Sequence, residues 1–117
     1  MYHGWSDPLV APQATVGFYQ RLVTRMGGAA RTADWVRLFM VPGMGHCRGG
    51  DGPNTFDVVS ALDAWVGQRT PPDRIVASHA TDGRVDRTRP LCPHPQVAVY
   101  KGTGSIDDAG NFACGVK

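Results

Sequence analysis

Between Gln13 and Met26 the apolar residues Val16, Tyr19, Val23 and Met26 recur at helical spacing, and Phe18 and Leu22 broaden the stripe. Pro8 and Pro12 frame the start of this helix, since proline is tolerated in a first turn. Gly27-Gly28 marks its end. Residues 1–9 ahead of it read as the end of a strand and the loop that follows, and 29–34 as a polar loop. Trp35 to Val41 is rich in β-branched and aromatic residues and predicts a buried strand.

Pro42 to Pro53 is irregular, with five glycines in twelve residues. Asn54 or Thr55 can cap a second helix that runs to about Gln68. Val58, Ala61, Leu62 and Trp65 line one face of it, and Phe56, Val59 and Val66 widen that face. A helix apolar over so much of its circumference is expected to pack on a sheet. Pro71-Pro72 stops it, and Arg74 to His79 reads as a short strand. From Asp82 onward the character changes. Residues 82–89 are charged and turn-rich, Pro90 to Pro95 holds three prolines, Gln96 to Lys101 reads as an edge strand, and 102–115 as a polar loop. The pattern is α/β, with residues 82–117 as an irregular tail.

Composition narrows the function classes. The chain has 117 residues, of which 42% are hydrophobic, so a packed core is expected and wholesale disorder is not. Twelve basic and ten acidic residues leave a net charge of +2. Arg84, Arg87 and Arg89 are interleaved with Asp82 and Asp86 and read as a self-paired surface, so no nucleic-acid partner is expected. No apolar run approaches the ~18 residues of a membrane span, and Met1-Tyr2-His3-Gly4 carries neither part of a signal peptide. The three cysteines, Cys47, Cys92 and Cys114, suggest one pair and one odd thiol, hence an oxidising compartment. A secreted-type chain without a leader is what a C-terminal piece of a larger protein looks like.

The candidate chemistry sits on the two loops after the apolar strands. His46 closes the run Val41-Pro42-Gly43-Met44-Gly45-His46-Cys47, where the glycines can let its ring swing into a cleft. An imidazole takes up and returns a proton near neutral pH, although a loop histidine can equally be a plain surface group. Asp7, in Trp5-Ser6-Asp7-Pro8, can orient such an imidazole, or it can serve the turn and cap the helix after it. Asp followed by His, each on such a loop, suits the second half of a Ser…Asp…His arrangement. Ser6, Ser60, Ser78 and Ser105 all lie outside any Gly-x-Ser-x-Gly elbow. A second reading takes His46, Cys47, Cys92 and His94 as metal ligands, although their spacing matches no common zinc pattern. Asp107-Asp108 lacks the ligand order of a calcium loop.

The blocks His3-Gly4-Trp5-Ser6-Asp7-Pro8-Leu9-Val10-Ala11-Pro12 and Val41-Pro42-Gly43-Met44-Gly45-His46-Cys47 closely resemble C-terminal motifs of the tannase and feruloyl esterase family. The tail, from Arg89-Pro90-Leu91-Cys92-Pro93 to Asn111-Phe112-Ala113-Cys114, resembles the tail of the same family. The resemblance implies a secreted or periplasmic serine esterase with an α/β-hydrolase core. The chain would be its C-terminal portion, acting on esters of aromatic acids such as gallate or ferulate. It maps the family's catalytic aspartate to Asp7 and its catalytic histidine to His46. In that family the cysteine after the histidine bonds a cysteine before the serine, which makes Cys47 the odd thiol here. Cys92 and Cys114 are then expected to staple the tail, which holds little apolar material of its own. The family's serine elbow, oxyanion hole and lid domain with its calcium site have no counterpart in these residues, so no cofactor is expected in this chain and the chain alone is expected to be inactive. A non-catalytic binding module and a small metal-binding protein are the alternatives.

Overall fold

Phe39, Met40 and Val41 are all buried, and the strand they form has elements on both of its faces. In the computed structural model, which describes residues 1–116, this strand is β2 (Phe39–Val41). It pairs in parallel with β1 (Tyr2–Gly4), with His3 opposite Met40 and Gly4 opposite Val41. Parallel neighbours need a crossover. Helices α1 (Pro12–Arg25) and α2 (Ala29–Thr32) supply it.

Side chains alternate across β2, so it serves two clusters. Leu38 and Met40 meet Tyr19 of α1, with Val16 and Val23 packed beside them. Phe39 and Val41 point the other way and pack with Met44, Ala77 and Leu91. Of the expected helical stripe of residues 13–26, Val16, Tyr19 and Val23 cover one side of the strand, whereas Phe18 and Met26 are exposed. The strand itself is shorter than the run Trp35–Val41 predicted. The amides of Trp35 and Val36 bond back to the Thr32 carbonyl and are not available for a ladder. Within the stretch read as polar loop, Thr32 is fully buried, and its hydroxyl is satisfied by the Gly28 and Ala29 carbonyls of the short helix α2.

Helix α3 (Val58–Gln68) starts later than expected. The amides of Asn54 and Thr55 are taken by the Ser78 carbonyl, and Asp57 caps the helix by accepting from Ser60 N at 2.9 Å. The helix is not packed into a core. None of its residues is buried, and Val59 and Val66 are each 75% exposed. Its inner edge lines an open groove of about 340 Å³ with Tyr2, Phe39 and Ile75.

The stretch 82–117 is more regular than the expected irregular tail, and the edge strand expected over Gln96–Lys101 is present within it. Strands β3 (Ile75–Thr81) and β4 (Arg84–Leu91) form an antiparallel hairpin, and β5 (Val97–Tyr100) and β6 (Phe112–Gly115) a second one. The first hairpin turns at Asp82-Gly83, with φ of 50° and 77°, the left-handed pair that a two-residue turn of this twist demands. A 3-10 turn at Ala109–Asn111 leads into β6, within the stretch read as a loop. Cys92 and Cys114 are bonded, with Cα atoms 5.6 Å apart, and so tie the end of β4 to β6. His94 N donates to Leu38 O at 2.7 Å, which docks the tail against the β2 segment. Among the described residues no helix is long and apolar enough to cross a membrane.

Candidate active site

Because β1 and β2 run in parallel, the loops that follow them begin side by side. The ends of parallel strands are where α/β folds place their sites. Two backbone bonds lace these loops together: Trp5 N donates to Val41 O at 2.9 Å, and Ser6 N to Met44 O at 3.0 Å. Gly4 permits the approach, since a Cβ there would lie 2.2 Å from Met44 O and 2.6 Å from Gly45 O. Met44 is buried and anchors the second loop in the core. The loop then closes on itself through Gly45 N donating to Gly49 O at 2.9 Å, with Cys47 held at φ 63°.

Asp7 joins the two loops, and its two oxygens have different tasks. Oδ1 accepts from the amides of Leu9 at 2.8 Å and Val10 at 3.0 Å. This is the turn-forming role left open for Asp7 by the sequence. Oδ2 accepts from His46 Nδ1 at 2.8 Å and from His3 Nε2 at 3.0 Å. The carboxylate is 3% exposed. Burial alone would push its pKa up. The bonds from Val10, Leu9, His46 and His3 reverse that and hold the carboxyl well below the usual carboxylate range.

An ionised carboxylate only accepts, so both imidazole nitrogens facing Oδ2 carry hydrogen. Neutral His46 therefore has its proton on Nδ1 and a free lone pair on Nε2. The ring is 43% exposed, so Nε2 has access to a reacting group. His3, Asp7, Met44, His46 and Cys47 border a cavity of about 120 Å³. A histidine held in one tautomer by a buried carboxylate, with its other nitrogen open, is equipped for general acid–base chemistry.

The structure brings Asp7 and His46 together across 39 residues of sequence, and among the described residues no serine hydroxyl is hydrogen-bonded to His46. Ser78 Oγ donates to Thr55 O, Ser105 Oγ accepts from Asp107 N, and Ser60 lies in the first turn of α3. Ser6, in the Asp7 turn, donates its amide to Met44 O. Among the described residues the hydrogen bond of the His46 ring is the one to Asp7. Cys47 is a free, exposed thiol on the same loop.

Of the four residues read as possible metal ligands, His46, Cys47, Cys92 and His94, one is removed by a disulfide. Cys92 is locked in the bond to Cys114 and offers no thiolate. His94 stands edge-on to Tyr19 in the tail, where burial lowers its pKa. Sequence reasoning gave no role to His3. Its position four residues before Asp7, at the end of β1, was the available signal, and only the fold shows both rings meeting one oxygen.

Comparison with known proteins is consistent across sequence and structure. A model of the family "tannase and feruloyl esterase" matches residues 1–115. The mono(2-hydroxyethyl) terephthalate hydrolase of Piscinibacter sakaiensis is 49% identical over 117 residues, covering 97% of this chain and 19% of that protein. The crystal structure of an esterase from Aspergillus oryzae superposes with a TM-score of 0.86 at 30% identity, over 97% of this chain and 26% of that one. Feruloyl esterase B of the same organism gives 0.87 at 26% identity, over 97% and 25%. The chain thus spans 19% to 26% of the length of these relatives. The fold is α/β, of the hydrolase type shared by these esterases.

Proposed function

The chain belongs to the tannase and feruloyl esterase family, and on that premise we propose that it is the C-terminal, acid–base part of a serine carboxylic ester hydrolase acting on esters of aromatic acids such as gallate or ferulate. The observation that carries this reading is the 2.8 Å bond between Asp7 Oδ2 and His46 Nδ1 at the ends of the parallel strands. In the reaction His46 Nε2 takes the proton of an attacking serine hydroxyl as its oxygen bonds the ester carbonyl carbon. The resulting imidazolium returns that proton to the departing alcohol, and Asp7 stabilises the charge in between. In the second half His46 takes a proton from water, whose oxygen displaces the serine from the acyl group. That proton then returns to the serine oxygen.

The attacking serine and the oxyanion donors are assigned to a segment outside these 117 residues. All four serines here stand away from His46 or lie in the Asp7 turn. The disulfide and the family support an extracellular or periplasmic setting.

The test replaces the matching segment of the Piscinibacter hydrolase, at 49% identity, with this chain. The chimera is expected to hydrolyse mono(2-hydroxyethyl) terephthalate, and the isolated chain to hydrolyse no aromatic ester above background. A folded chimera without hydrolysis overturns the reading and favours a non-catalytic module. Turnover by the isolated chain that vanishes when Ser6, Ser60, Ser78 or Ser105 is replaced overturns the assignment of the serine to another segment.

A further inference from the structure

Outside the pair just described, the ring of His3 is the most enclosed histidine of the site. Its side chain is 11% exposed, against 43% for His46. Each of its nitrogens has a fixed partner. Nε2 meets Asp7 Oδ2 at 3.0 Å, and Nδ1 meets the hydroxyl of Thr15, on α1, at 2.7 Å. We propose that His3 is a positioning residue for Asp7: held by Thr15, it shares Oδ2 with His46 and fixes the direction from which that oxygen meets the His46 ring. The inference rests on the acid–base reading of His46 and deepens it.

The geometry supports this in three steps. Oδ1 accepts from the amides of Leu9 and Val10, which pin that oxygen and leave the rotation that places Oδ2 to be set by the partners of Oδ2. Against an acceptor-only carboxylate, neutral His3 carries its hydrogen on Nε2, so its Nδ1 lone pair must accept. The Thr15 hydroxyl is placed to donate that bond, and it therefore satisfies the tautomer that Asp7 selects. The relay Thr15–His3–Asp7–His46 thus spans helix α1, strand β1 and both loops, and it couples the orientation of the base to the packing of α1.

His3 also sets how strongly Asp7 pulls on His46. A second donor on Oδ2 draws off part of its negative charge. Without that donor Oδ2 becomes a stronger acceptor, and the imidazolium of His46 is held more tightly. The titratable groups that border this cavity are Tyr2, His3, Asp7, His46 and Cys47, and α1 contributes only the neutral Thr15 to the relay.

Two variants separate positioning from bulk structure. His3→Gln keeps an N–H close to the place of Nε2, whereas His3→Leu removes it. In the active chimera, His3→Leu is expected to lower kcat roughly tenfold or more, the worth of one hydrogen bond to a charged group, with little change in KM. It should also move the acid limb of the pH–rate profile upward. His3→Gln is expected to restore most of kcat and the parent profile, and Thr15→Val to fall between them. Equal loss in His3→Gln and His3→Leu, or parent kcat and profile in His3→Leu, overturns the proposal. The nitrogen-15 spectrum of the isolated 117-residue chain decides it independently of activity. The expected result is His3 protonated on Nε2 and coupled across its hydrogen bond to Asp7. An Nδ1-protonated His3 overturns the inference even in an active chimera, and an inactive chimera with the expected spectrum sinks only the esterase reading.

Discussion

Gly4 and Met44 come together so closely that a Cβ on Gly4 would sit 2.2 Å from the Met44 carbonyl oxygen. The side chain of Met44 is itself buried in the core beside Val41 and Leu91, so the carbonyl has little freedom to retreat. Gly4→Ala should therefore push the loop after β2 away from the loop after β1. Overpacking of this kind costs roughly 1–3 kcal/mol, and a displaced base costs about a hundredfold in rate. The expected result is a lower melting temperature together with that loss of kcat in the chimera. Parent values for both would show that the two loops do not need this contact.

Asp7 gives the fold a signature in acid. Its hydrogen bonds hold the folded carboxyl below the usual range, so its ionised form stabilises the fold above the unfolded value of ~3.9. That contribution disappears as pH falls through the folded value. Thermal melting of the parent and of Asp7→Asn should differ most above about pH 4, and the gap should narrow steadily as pH falls below that. A gap that stays constant as pH falls below about 4 would mean that the carboxylate is not held as described.

The Cys92–Cys114 bond closes a loop of 22 residues over the second hairpin. In the chain-entropy model a loop of that size is worth roughly 3 kcal/mol. The paired change Cys92→Ser with Cys114→Ser should lower the melting temperature by on the order of 10 °C. An unchanged melting temperature would mean that the β5–β6 hairpin holds itself against β4 without the staple.

Cys47 is the free thiol, exposed on the His46 loop. Without reductant, a thiol reagent should add one equivalent per chain, and peptide mapping should locate it at Cys47. Label on Cys92 or Cys114 would contradict the pairing in the structure.

The legible parts of the chain are those governed by local pattern. The period of Val16, Tyr19 and Val23 fixed the first helix because the same stripe that repeats in sequence is the one that covers Leu38 and Met40. Asp7 and His46 were legible because each follows an apolar strand on a turn-rich loop. What the local pattern does not carry depends on partners distant in sequence. Thr55 looked like a helix cap, yet its amide is claimed by Ser78, 23 residues on. Strand β4 looked like a charged turn because Arg84, Asp86 and Arg87 are exposed and hide its extended form. The Asp82-Gly83 dipeptide was the one local sign of that hairpin. His3 carries no pattern of its own, and its meaning appears only where α1 brings Thr15 to one side of its ring and the turn brings Asp7 to the other.

The central claim is that Asp7 and His46 act as one acid–base unit, and a double-mutant cycle on kcat/KM in the chimera measures that unit directly. His46→Ala should cost on the order of 10⁶ and Asp7→Asn about 10⁴, the losses typical of a catalytic triad. The double variant should be no worse than His46→Ala alone, because a carboxylate has nothing to orient once the imidazole is gone. Losses that multiply, or a His46→Ala chimera with parent activity, would contradict the account.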